Sequence, residues 1–269
     1  MYKDFWKLKE LPFENTPDPR FFYTSVKHHE ALSRLQYLVR EKKACGVLTG
    51  VYGCGKTLVL QALRKSTEPE GVKFSFVTNP RLDDLGILRL VLRGLTMHEV
   101  PAHKADVLMG LQSYIESVAQ DGKHSVIVID EAHAINNDEV FEELRLLMNF
   151  QQENRFLLTL LLVGQPELKN RVDANKQLNQ RVSLRFHLDA FGLPDTQNYI
   201  RHRLSVAGDA QHTVFTPEAI ELIQRHSGGI PRWINNYCHM SLLTAFGKGL
   251  HHITPEIVDE AVASLSGAS

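Results

Sequence analysis

The chain has 269 residues, enough for one large or two modest domains whose cores need no disulfide bonds. Its 30 Lys and Arg residues nearly balance 31 Asp and Glu residues, which excludes a polycation built to coat nucleic acid or acidic lipid. The three cysteines are widely spaced and form no CxxC pair, so a reducing compartment is the simplest interpretation. The longest strongly apolar run, Phe156–Val163, is too short to span a membrane, and the first residues lack the apolar stretch of a signal peptide. We therefore expect a cytoplasmic protein with no direct membrane span.

The first two thirds of the chain predict an α/β fold. Leu11–Arg20 contains three prolines and is expected to be an irregular strap, followed by a helix at about Lys27–Lys43. Apolar runs of strand length then alternate with stretches of helical periodicity, which is typical of βαβ units around a parallel sheet. Each run is rich in Val, Ile, Leu or Phe, as a strand buried on both faces requires. The five predicted strands are Cys45–Leu48, Lys73–Thr78, Ser125–Asp130, Leu157–Gly164 and Ser183–Leu188.

The last part of the chain predicts a small helical domain, because the strand signal stops after Pro194. Four segments there have helical periodicity, and proline stands at or near the start of each. These segments are Pro194–Val206, Pro217–His226, Pro231–Phe246 and Pro255–Leu265. The expected organisation is an N-terminal strap at 1–26, an α/β core at 27–190 and a helical domain at 191–269.

The sharpest motif is Gly50–Thr57, which matches G-x-x-x-x-G-K-[ST] directly after one predicted strand and before a helix. Its glycines let backbone N–H groups turn toward phosphates, and the helix start adds the positive end of its dipole. Lys56 is expected to reach the β- and γ-phosphates, and Thr57 to ligate Mg²⁺. The predicted nucleotide-binding residues are Gly50, Val51, Tyr52, Gly53, Cys54, Gly55, Lys56, Thr57 and Leu58.

A second motif, Val126–Glu131, places two acids after four apolar strand residues. A buried parallel strand that ends in this way favours a ligand at its carboxyl edge. Asp130 suits a carboxylate that supports Mg²⁺, and Glu131 suits the base that orients an attacking water. Asp130–His133 also spells the tetrad of DEAH-type helicases, but those enzymes need two tandem sheet domains, for which this chain has no room. His133 is therefore expected to be a residue at a helix start near the site.

Three further polar positions carry weaker signals. Gln165 follows the fourth predicted strand and could hydrogen-bond the γ-phosphate or the lytic water, or simply lie in a strand-exit turn. Arg181 and Arg185 could form a solvated basic face, or one of them could complete the ATP site of a neighbouring subunit. Arg232 lies in the first turn of a predicted helix, where a cation is mildly unfavourable, so an anionic partner such as the ATP phosphates is expected.

Together these motifs resemble the AAA+ ATPases and, more closely, the ExeA/GspA-like ATPases of bacterial secretion loci. The resemblance runs nearly end to end, in the order and spacing of the family. It implies a P-loop AAA+ core with a five-stranded parallel sheet, a helical lid domain, and ATP and Mg²⁺ as cofactors. It also implies sensor roles for Gln165 and Arg232, an arginine finger at Arg181, and a strap near the adenine. The matching blocks are Leu11–Phe13, Thr16–Tyr23, Gly50–Thr57, Ile129–His133, Leu162–Leu168, Leu178–Arg181 and Ser227–Arg232.

The predicted function is a Mg²⁺-dependent ATPase that assists assembly of a secretion or pilus-type machine through ATP-driven homo-oligomerisation, with a hexamer as one possible form. The family usually continues into a membrane anchor and a peptidoglycan-binding domain, whereas this chain ends at Ser269, so recruitment to the inner membrane would need a partner. An alternative is a regulator of transposition that binds duplex DNA, resembling the MuB, TniB and TnsC ATPases. Its local basic sets would be Arg40, Lys42 and Lys43, or Arg201 and Arg203. A switch ATPase that works by binding a partner is a third interpretation.

Overall fold

The structure is a computed structural model that describes residues 2–16, 18–153, 155–208 and 214–267. Backbone contacts divide the chain into two compact units. The first comprises Met1–Lys27, Val51–Leu58 and Asp189–Ser269, and the second comprises His28–Gly50 and Val59–Leu188. No helix among the described residues is long and apolar enough to cross a membrane. The predicted domain boundaries at 26/27 and 190/191 stay a prediction.

The second unit is built on a five-stranded parallel sheet, and the fold class predicted from the sequence is confirmed. Its central strands are buried along their whole length, which is why their sequences are apolar on both faces. The strand order is β2-β3-β6-β1-β7. These strands are β1 (Cys45–Gly50), β2 (Val72–Val77), β3 (His124–Ile129), β6 (Leu158–Gly164) and β7 (Val182–Leu188).

A short antiparallel hairpin of β4 (Gln151–Gln152) and β5 (Arg155–Phe156) precedes β6. Sequence periodicity did not predict this hairpin, because two-residue strands are too short to show any alternation. Strand β3 ends at Ile129 and not at Asp130, so the first acid of the second motif lies just past the strand.

Helices cover the sheet, and their apolar faces form its core with Val47, Leu88, Leu111, Ile127 and Leu160 among the buried residues. The chain crosses from β2 to β3 through two helices. The helices from the strap to β7 are α2 (Val26–Arg40), α3 (Lys56–Thr67), α4 (Asp84–Thr96), α5 (Lys104–Gln120), α6 (Asp138–Leu147), α7 (Glu167–Ala174) and α8 (Lys176–Arg181).

The helices of the first unit are α1 (Tyr2–Phe5), α9 (Leu193–Val206), α10 (Pro217–Ser227), α11 (Pro231–Lys248) and α12 (Pro255–Ser266). The four predicted C-terminal helices are therefore present, and short α1 was not predicted. The described part of the proline-rich strap contains one 3₁₀ turn, Pro19–Phe21. Arg203 of α9 is buried and donates hydrogen bonds to the carbonyl oxygens of Pro12 and Glu14, which ties the strap to the helical core.

The sheet positions the functional residues because its strands are parallel and share one carboxyl edge. Thr49 of β1 pairs with Gly164 of β6, and Ile129 of β3 pairs with Leu162 of β6. The segments that follow β3 and β6 therefore leave the sheet side by side. In open parallel sheets, ligands bind outside this edge.

Candidate nucleotide site

The predicted phosphate-binding loop has the expected strand–loop–helix context. Gly50 ends β1, and α3 begins at Lys56. Gly53 and Gly55 have φ angles of 82° and 101°, a conformation that side-chain-bearing residues rarely adopt. The loop can therefore turn as a phosphate cradle requires, with the N-terminus of α3 directly after it.

Inside the loop, Lys56 is buried and its ammonium group donates a hydrogen bond to the carbonyl oxygen of Val51 at 3.1 Å. The same Nζ lies 4.0 Å from the Cys54 sulfur. Burial raises the pKa of the Cys54 thiol, although the Lys56 charge lowers it in part, so this cysteine is a neutral packing residue. A cation already lies within the loop, close to the positions where phosphate oxygens would bind in such a motif.

Arg232 belongs to the same unit as the loop and packs directly on it. Its guanidinium carbon lies 4.3 Å from the centre of the Tyr52 ring, and an N–H group donates to the Tyr52 hydroxyl. A Cβ atom built on Gly53 would lie 2.7 Å from the Cβ of Arg232, so only glycine permits this approach. The structure thus brings together two predicted elements separated by 180 residues. The phosphate-contacting role of Arg232 stays a prediction.

The acidic pair lies in the second unit, just past β3. The Asp130 N–H donates to the Val77 carbonyl oxygen at 2.8 Å, and the Asp130 carboxylate accepts from the Glu131 N–H at 2.8 Å. Asp130 is buried, whereas the Glu131 side chain is 38% exposed. Glu131 has φ 53° and ψ 32°, the left-handed conformation that is unfavourable for a residue with a Cβ atom. Strained backbone of this kind is often retained at functional sites.

Glu131 and Gln165 are joined by His133. The Nε2 atom of His133 lies 3.4 Å from the Glu131 carboxylate and 3.1 Å from the Gln165 side-chain nitrogen. The sequence predicts His133 near the site but does not predict this bridge. Spacing alone could not reveal it, because the two ends of the contact are 32 residues apart.

The two candidate finger arginines differ in how they are held. Arg185 of β7 forms an ion pair with Asp173 at 3.1 Å and hydrogen-bonds the side-chain oxygen of Asn179. Arg181, the last residue of α8, donates to the carbonyl oxygen of Met148 at 3.3 Å and has no ion pair among the described residues. Turning Arg181 away from its present position would break one hydrogen bond, whereas turning Arg185 would break an ion pair and a hydrogen bond.

The donor set suits the magnesium ion that accompanies ATP. No group of three or more His, Cys, Asp or Glu residues in the described part of the chain could hold a metal ion by itself. Thr57 and Asp130 supply hard oxygen ligands, and Mg²⁺ typically takes only one or two such ligands from a protein, with water and phosphate completing the shell. Each residue thus carries an oxygen of the kind that Mg²⁺ prefers, and their role as its ligands stays a prediction.

Comparison with known proteins places these features in context. A family model described as an AAA domain matches residues 39–172. General secretion pathway protein A of Aeromonas hydrophila is 35% identical over 270 residues, which cover 99% of this chain and 49% of that protein. The chain thus spans about half the length of this relative. An uncharacterized HTH-type transcriptional regulator of Methanocaldococcus jannaschii is 28% identical over 302 residues, covering 96% of this chain and 73% of that protein.

Solved structures with a similar fold include the ORC2 protein of Aeropyrum pernix, with a TM-score of 0.69 and 19% identity over 93% of this chain and 72% of that chain. Cdc6p from Pyrobaculum aerophilum has a TM-score of 0.70 and 16% identity, over 92% of this chain and 70% of that chain. At these identities the likeness concerns the fold alone.

Proposed function

Because the chain belongs to the AAA+ ATPases and resembles their ExeA/GspA-like branch, we propose that it binds ATP with Mg²⁺ and hydrolyses the nucleotide to ADP and phosphate. The observation that carries the proposal is the loop between β1 and α3. Its glycines have positive φ angles, and its lysine is buried at the helix start. This combination is suited to binding a polyphosphate.

Each site residue has a role in this proposal. The N–H groups of Gly50–Gly55 and the Lys56 ammonium would bind the phosphates. Thr57 and Asp130 would hold a magnesium ion, which would supply positive charge to the phosphate oxygens. Glu131 accepts a hydrogen bond from the attacking water and aligns it with the γ-phosphorus. Two further groups would distinguish ATP from ADP. Gln165 would hydrogen-bond the γ-phosphate or the attacking water, and Arg232 would leave Tyr52 and bind the phosphates.

We further propose that the ATPase cycle drives self-assembly and assists a secretion or pilus-type machine. The 35% identity to General secretion pathway protein A supports this purpose, and the chain covers about half of that protein. Arg181 would act on the nucleotide of the adjacent subunit, an effect worth about 10³–10⁵ in rate where arginine fingers are characterised. A shared site of this kind makes hydrolysis depend on the oligomer.

A second candidate function is a DNA-binding regulator. One relative favours it, the uncharacterized HTH-type transcriptional regulator of Methanocaldococcus jannaschii. Two of the expected basic residues do not support it. Arg203 is buried with its donors on backbone oxygens, and Arg40 forms an ion pair with Glu70 at 2.6 Å. Duplex binding needs several phosphate contacts from clustered cations, and these two side chains are already engaged.

One experiment separates the two candidates and tests the activity itself. Steady-state ATP hydrolysis is measured for the parent and for Lys56→Ala, each titrated with duplex DNA at near-physiological salt. Activity of the parent above the Lys56→Ala blank and indifferent to DNA is the expected result. Strong stimulation by DNA would favour the regulator. A parent no more active than the blank would contradict the proposed ATPase.

A further inference from the structure

His133 occupies the centre of the 3₁₀ turn Ala132–Ala134, which follows β3, and it reaches across to the residue that follows β6. The Gln165 backbone N–H donates to the Nδ1 atom of His133 at 3.2 Å. The Nε2 atom faces two side chains, the Gln165 carboxamide at 3.1 Å and the Glu131 carboxylate at 3.4 Å. The imidazole ring of His133 therefore contacts both the backbone and the side chain of Gln165, and it also contacts the Glu131 carboxylate.

The backbone contact fixes the tautomer of this ring. A peptide N–H group can only donate, so the Nδ1 atom of His133 must be the acceptor and carries no proton. In the neutral ring the proton then lies on Nε2, the nitrogen that is 3.4 Å from the Glu131 carboxylate. The Gln165 amide can also accept this proton once its oxygen is turned toward the ring, since the two ends of a carboxamide are interchangeable by a half-turn.

The backbone around His133 leaves space for its imidazole ring. A Cβ atom built on Gly164 would lie 3.1 Å from Nδ1 of His133 and 3.2 Å from its backbone nitrogen, so a side chain at the end of β6 would displace the imidazole. After the end of β3, the left-handed conformation of Glu131 starts the turn that contains His133. The His133 side chain is only 18% exposed, which shields its hydrogen bonds from water.

We propose that His133 is a positioning residue that holds the Glu131 carboxylate and the Gln165 amide in one fixed arrangement. The inference rests on the proposed ATPase function, in which Glu131 orients the water and Gln165 contacts the γ-phosphate or that water. The ring couples these two groups, so a shift of Gln165 on phosphate binding or release is passed to Glu131. His133 itself makes no contact with the reacting atoms.

Two substitutions separate the two ring nitrogens. His133→Asn places a polar atom near the position of Nδ1, which preserves the acceptor for the Gln165 N–H, but it removes the Nε2 contact with Glu131. His133→Gln reaches the position of Nε2 and restores a donor to Glu131. Residues in contact usually have interaction energies large enough to change a rate about tenfold. We therefore expect His133→Asn to lower kcat about tenfold with KM unchanged, and His133→Gln to recover most of that loss.

His124 provides a matched control, since it lies at the other end of β3 and hydrogen-bonds Thr159 on β6 at 2.8 Å. His124→Asn removes an imidazole from the same pair of strands and should lower stability without a selective change in kcat. His133→Asn added to Glu131→Gln should cost little more than Glu131→Gln alone, because the contact that His133→Asn removes acts through the Glu131 carboxylate. Losses that multiply in the double variant, or equal kcat values for His133→Asn and the parent, would overturn the positioning role.

A measurement that needs no turnover completes the test. Long-range ¹H–¹⁵N spectra of protein labelled at histidine, with the His133 signals assigned by their absence in His133→Asn, should show the proton on Nε2 and a shift of that signal in Glu131→Gln. A proton on Nδ1 would overturn the inference while leaving the proposed ATPase intact. A parent no more active than Lys56→Ala would instead remove the proposed function, and the coupling with it.

Discussion

The contact between the phosphate-binding loop and Arg232 makes a quantitative prediction at Gly53. Replacing Gly53 by Ala forces a residue with a Cβ atom into φ 82°, at a cost of about 1–2 kcal/mol. The new Cβ atom would also lie 2.7 Å from the Cβ of Arg232 and 3.3 Å from Cγ2 of Ile230, and overpacking of this kind costs about 1–3 kcal/mol. We expect Gly53→Ala to lower the free energy of unfolding by about 2–5 kcal/mol in the absence of nucleotide.

Two glycines of the same unit serve as controls. Gly249 has φ 70° but no atom within 4 Å of a built Cβ, so Gly249→Ala measures the backbone cost alone. Gly247 lies within α11 with open space around it, so Gly247→Ala should stabilise the protein by up to about 1 kcal/mol. The difference between Gly53→Ala and Gly249→Ala is the cost of the contact with Arg232.

The assay is urea unfolding followed by tryptophan fluorescence. The chain has two tryptophans, Trp6 and Trp233, and both lie in the unit that contains the loop. The signal therefore reports the unit in which the strain would arise. A Gly53→Ala variant that loses no more stability than Gly249→Ala would refute the tight packing of Arg232 on the loop.

Three further predictions concern catalysis and pH. Glu131→Gln should bind ATP normally but hydrolyse it at least about 10²-fold more slowly, and an unchanged kcat would remove Glu131 from the mechanism. Arg181→Ala should abolish hydrolysis, and mixing with Lys56→Ala subunits should restore part of it; no recovery would argue against a shared site. Burial lowers the pKa of His124 to about 4, with a smaller effect from Lys42. Because the unfolded pKa is near 6.5, the stability that neutral His124 contributes is complete above that pH and is lost toward pH 4, by up to about 1.4 kcal/mol per unit. Urea unfolding at pH 7 and pH 5 should therefore show a smaller difference for His124→Gln than for the parent.

The sequence by itself determined the elements whose signals are local. Strand-length runs rich in Val, Ile, Leu or Phe identified the five strands of the sheet. In β1, β3 and β6 this composition follows from burial along the whole strand on both faces. Proline at or near helix starts helped to place the four C-terminal helices, including α11 with Arg232. The phosphate-binding loop was identifiable because its backbone geometry requires glycine at fixed positions, as the positive φ angles of Gly53 and Gly55 illustrate.

Only the tertiary structure decided which of these local features meet. No single segment of the sequence predicts the strand order β2-β3-β6-β1-β7. This order places β3 beside β6. His133 contacts Gln165 for that reason, and Arg232 packs on Tyr52 through a separation of 180 residues. Such contacts depend on how distant segments pack and on the direction of individual side chains. Neither leaves a periodic trace in the sequence. The candidate site residues could therefore be proposed from the sequence, whereas the contacts of His133 with Glu131 and Gln165 could not.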